Sequence, residues 1–249
     1  MSKKLGLREG LHLLHQLSDA QIRAQVRHLG PVKKFLNELM QQDKENYYFE
    51  WISDDEAVGS IVKHKLGSCE DARTHVARCR ALASYHNYHG KIFVIVKAGF
   101  TPKAHASKLG PSCEKFGYLQ KGELENVDPT VESLVFFVPR LVAGSMGRNA
   151  EEQLQLLANF AEAHWLPDHY LTSFGGVALL LGLIESHFHC TGERVPLNYN
   201  WSRTDTGHLL VGHFDKYGPF CGSWDRCDDH SRRKDLGCFM LGINEIPGN

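Results

Sequence analysis

"KIFVIVKAGF", residues 91–100, is where the pattern of the chain changes from helix to strand. The run is rich in β-branched and aromatic residues, lies between Gly90 and Gly99, and is too short for a typical helix, so it reads as a strand. What precedes it reads as helix. Leu7, Leu11 and Leu14 recur at helical spacing, and Ser18 with Gln21 makes a capping box for a second helix. Pro31 suits the first turn of a third, along which Val32, Phe35, Leu36, Leu39 and Met40 form an apolar stripe. Ser53 with Glu56, and Ser68 with Asp71, are two more box-like starts, and Gly90 is a stop.

C-terminal to that run, "VESLVFFVPRLV" (131–142) is a second strand, ended or displaced to an edge by Pro139. Thr101 and Pro102 open a short helix between the two. Helices then follow behind Asn149 and in "TSFGGVALLLGLIESHF", for which Thr172 is the expected cap. From Arg194 the chain reads as short strands: "RVPLNYNW", "HLLVGHFD", "GPFCGSWD" and "GCFMLGI", with Tyr217 and Gly218 making the tight connection of a hairpin. Helices first and strands grouped late predict an α+β protein. Its expected parts are a helical N-terminal lobe (1–90), then a mixed region and a C-terminal antiparallel hairpin or meander (91–249), as two lobes or one continuous domain.

The 249 residues carry 28 Lys and Arg against 29 Asp and Glu, so no global attraction to nucleic acid or an anionic membrane is expected. Arg8, Glu9 and His12 interrupt the apolar run that a secretory signal would need, and "GGVALLLGLI" (175–184) is about half of a membrane span. Seven cysteines, an odd number without a signal peptide, favour reduced thiols in the cytoplasm.

Three motifs carry possible chemistry. In "PFCGSWDRCDDHSRRKDLGC" (219–238), Cys221, Cys227, His230 and Cys238 are a candidate zinc set, although only Cys227 and His230 have knuckle spacing. The alternative is that the cysteines are small core residues. Strand alternation sets Cys221 opposite Phe220 and Trp224 and so points it outward or into a groove. In "AGSMG" (143–147), Ser145 occupies the nucleophile position of a relaxed G-x-S-x-G, with Asp168, His169, Asp215 and His230 as partners; the missing alternation of strands in the first ninety residues favours a plain glycine loop. Within the first of these, the "RRK" at 232–234 sits among acids and reads as a charge-balanced loop.

The third motif is the polar face of the late strands. Tyr199, Trp201, Arg203, Asp205, His213, Trp224, Asp225 and Arg226 mix rings with opposite charges where a solvent face would carry Lys, Glu or Thr. Rings supply contact area, an arginine can hold a carboxylate or phosphate, and Asp205, His213 or Asp225 can take protons. The sequence thus predicts a surface for a small molecule or a protein partner on the C-terminal sheet. An enzyme using zinc or an Arg/Asp/His pocket there, and an interaction module built on the N-terminal helices, are the alternatives.

Overall fold

The computed structural model describes residues 48–105, 127–206, 209–215, 218–223, 230 and 232–247. The helices expected before residue 48 lie outside them. The described residues belong to one compact unit, Tyr48–Asn249.

A strand opens it. β1 (Phe49–Ile52) pairs antiparallel with β2 (Phe93–Val96), so residues on both sides of position 90 share one sheet. This departs from the helical expectation for 1–90, and the reason is non-local: four residues form a strand here only because β2 offers an edge. α1 (Asp54–Lys63) and α2 (Cys69–Tyr85) begin where the sequence predicts. Ser53 and Glu56 form a reciprocal capping box, and the Ser68 side chain accepts from the Asp71 amide. After β2 come the one-turn α3 (Pro102–His105) and β3 (Ser133–Leu141), then α4 (Ala150–Ala163), capped by Asn149 with Glu152.

α5 (Val177–Thr191) starts later than Thr172. The Thr172 hydroxyl donates to the His169 carbonyl instead, and the orphan Val177 amide donates to Thr206 Oγ1 at 3.1 Å. A helix start is therefore capped by a residue that follows the helix by a whole connection, which no local pattern encodes. α5 ends at Gly192 in the left-handed conformation (φ 76°). β4 (Trp201–Arg203), β5 (Leu209–Asp215), β6 (Gly218–Ser223), β7 (Leu236–Gly237) and β8 (Phe239–Glu245) complete the described chain.

Two four-stranded sheets result, ordered β1-β2-β3-β8 and β6-β5-β4-β7, and the class is α+β. β5 and β6 form the expected antiparallel hairpin, β4 and β7 pair in parallel, and β8 crosses to β3. On β3, Leu134, Phe136 and Val138 pack with α1, α2 and α4, while Val135 and Phe137 pack with α5. Alternation with both faces covered explains why this strand reads as an unbroken apolar run. α5 in turn touches the first sheet on one side and Leu209, Val211 and Cys221 of the second on the other, so it is apolar almost all round.

Candidate functional site

Strand register defines the outer face of the second sheet. Leu236, Trp201, Gly212 and Phe220 form one cross-strand row, and Arg203, Leu210 and Gly222 form another on the same side; Ser202, Val211 and Cys221 face α5. Glycines at 212 and 222 leave a floor without side chains, and the Trp201 ring covers it. A Cβ at Gly222 would lie 3.4 Å from Trp201 Cη2. The register shifts between Gly212 and Asp215, where His213 takes φ 50°. This bulge brings its ring to 4.9 Å from Trp201, 5.3 Å from Tyr199 and 5.9 Å from Phe220, centroid to centroid. Tyr199 is 81% exposed, so the cluster opens to solvent.

Two residues along β4, about 7 Å from Trp201, stands Arg203. It is buried at 4% exposure and lines a cavity of about 730 Å³ together with Thr172, Asp205, Leu210 and, from α4, Glu151 and Gln155. Asp205 is held by the backbone before α5. Its two carboxylate oxygens accept from the Phe174 and Gly175 amides at 2.9 and 2.8 Å, and its own amide donates to the Gly175 carbonyl. Asp205 thus clamps the entry to α5. Asp205→Ala leaves two turn amides without acceptors and is expected to cost about 2 kcal/mol in urea unfolding, while Asp205→Asn, which keeps one acceptor, costs less.

Trp224, Asp225, Arg226 and Cys227 lie outside the described residues. Of the other candidate zinc ligands, Cys221 faces α5 in one core cluster, Cys238 sits in another, and His230 is exposed. The structure does not bring those two thiols together. Cys221 points inward rather than outward because the covered side of this sheet is the α5 side, where Leu209 and Val211 already lie. Burial pushes the Cys238 thiol up to about 12. Among the described residues, no three His, Cys, Asp or Glu side chains gather as a metal ion would need.

Ser145 is fully buried, and its hydroxyl donates to the Val142 carbonyl at 2.7 Å and accepts from the Cys238 amide at 3.2 Å. It pins a turn to the β7–β8 bend and has no nucleophile's exposure. Gln153 Nε2 reinforces the joint through the Ser145 and Leu236 carbonyls. In the basic run, Arg232 pairs with Glu152 at 2.7 Å and Arg233 with Asp235 at 2.5 Å, as a charge-balanced loop requires. No helix among the described residues is long and apolar enough to cross a membrane.

No protein-family model matches this chain, and no curated protein or solved structure shows significant similarity to it.

Proposed function

We propose that the outer face of the second sheet binds a small ligand with a ring face and an anionic group. The supporting observation is the convergence of Trp201, His213, Phe220 and the exposed Tyr199 over a glycine floor, beside the cavity wall that carries Arg203. Rings give sequence-distant residues one flat contact surface, and a guanidinium at fixed distance from it selects a carboxylate or phosphate.

Three simple probes separate the two elements: benzoate carries both, benzyl alcohol only the ring, acetate only the charge. In saturation-transfer NMR, benzoate is expected to receive magnetisation from the protein and to bind at least about tenfold more tightly than either of the others. Tyr199→Ala, an exposed change that leaves the core intact, should weaken benzoate severalfold, and Trp201→Ala should abolish it. Equal transfer to all three probes, or unchanged benzoate binding in both variants, would refute the reading.

A further inference from the structure

A second cavity, of about 470 Å³, lies where α2 meets the chain after α4. From α2 it is lined by Asp71, His75 and Arg78, spaced four and three residues apart and therefore on one helix face. Trp165, His169 and Asn244 line it from elsewhere in the chain.

Arg78 is held at its edge by a bond from Nη1 to the Trp165 carbonyl at 2.8 Å. Among the described residues it forms no ion pair, and neither do His75 and His169. The one carboxylate on the wall, Asp71, already accepts from the Ser68 hydroxyl in the cap of α2. His169 Nε2 stands 3.0 Å from Asn244 Oδ1, and Asn244 Nδ2 donates to the hydroxyl of the fully buried Tyr170. The His75 ring is edge-on to Tyr170 at 4.7 Å, with Nε2 3.6 Å from Cys79 Sγ. His75 and His169 are thereby oriented by buried neighbours.

Trp165 stands at the rim of the cavity. It adopts φ 55° in the position after the α4 cap, where its amide and that of Leu166 donate back to the Glu162 and Ala161 carbonyls. Glycine suits that position; a bulky residue there costs roughly 1–2 kcal/mol, and this one is 75% exposed at the cavity rim.

We propose that this cavity is a second binding site, for a small oxyanion, held by the Arg78 guanidinium with the His75 and His169 rings in its wall. Arginine presents paired N–H groups that match phosphate and carboxylate oxygens, and no carboxylate of the described chain competes for them. Burial, then the charges of His169 and Arg78, hold His75 down at about 4. The groups facing His75 are Asp71, Arg78 and Cys79 on α2, His169 and Tyr170 after α4, and Asn244 on β8.

The test follows the histidine ring signals of the full chain by NMR while sodium phosphate, or separately acetate, replaces chloride at constant ionic strength. Saturable shifts of His75 and His169 are expected below about 20 mM of at least one anion, with Arg78→Ala raising the dissociation constant at least about tenfold and Arg78→Lys less. Saturation by phosphate alone assigns the phosphate class, and by acetate alone the carboxylate class. Arg78 is exposed, so its loss leaves the fold standing, and Tyr199→Ala keeps the response because the other site is separate. Absence of shifts with both anions at about 50 mM, or a wild-type titration in Arg78→Ala, overturns the proposal.

Discussion

Gly182→Val is expected to lower the stability of the protein by about 3 kcal/mol or more, a large share of the total for a domain of this kind. Gly182 lies in the middle of α5, and a Cβ there would stand 1.9 Å from Phe49 Cζ and 2.1 Å from Cε2. The helix and the edge strand are thus in contact through backbone on one side and a ring on the other. Phe49 has nowhere to go: it is 4% exposed and edge-on to the Phe100 ring at 5.0 Å. Moving α5 instead would open its contacts with both sheets at once. Gly182→Ala gains up to about 1 kcal/mol of helix propensity and still meets the ring, so it too should destabilise, by less. Because the clash is with one side chain, Phe49→Leu combined with Gly182→Val should recover part of the loss, a non-additivity that urea unfolding of the four proteins reads directly. A valine variant within about 0.5 kcal/mol of the wild type would show that this contact is not the constraint described.

What the sequence makes legible divides by the range of the interaction. The starts at Ser53, Ser68 and Asn149 are visible because each cap is closed within three residues. The buried helix is visible because α5 is covered on two sides and needs apolar residues almost all round. β1 is not, since "FEWI" becomes a strand through a partner more than forty residues on. The Asp205 clamp and the Thr206 cap fail for the same reason, because their bonds reach back about thirty residues. At the candidate site the unusual mixture of rings and charges is legible along "NYNWSRTDTGHLLVGHFD", but the sorting of faces is not. Cys221 turns inward because of what lies beneath the sheet. The second cavity has a faint local signal, His75 and Arg78 on one face of α2, yet that pattern also describes an ordinary solvated helix. Only Trp165, His169 and Asn244, brought in from distant chain, give it meaning.

The second large effect is acid sensitivity above the range in which carboxylates titrate. His187 and His75 are both lowered from 6.5 to about 4, with burial the leading cause in each. His187 is packed among Trp51 and Tyr88, at 5.3 and 6.4 Å between ring centroids, and its Nδ1 has no hydrogen-bond partner among the described residues. The folded pKa lies below the unfolded one, so the unfolded chain binds protons first. Each neutral imidazole therefore contributes stability that is fully present above about pH 6.5 and is lost as pH falls toward 4. The ceiling is roughly 3 kcal/mol for each histidine, and His86, lowered by burial as well, acts in the same direction. Urea midpoints should be flat above pH 7 and fall steeply between pH 6.5 and 4. His187→Phe keeps a ring against Trp51, removes the unpartnered nitrogen and should take away about half of that slope while costing little at pH 7. If the variant loses stability with acid as fast as the wild type, His187 titrates freely in the folded protein and the ring packing around Trp51 is looser than these distances imply.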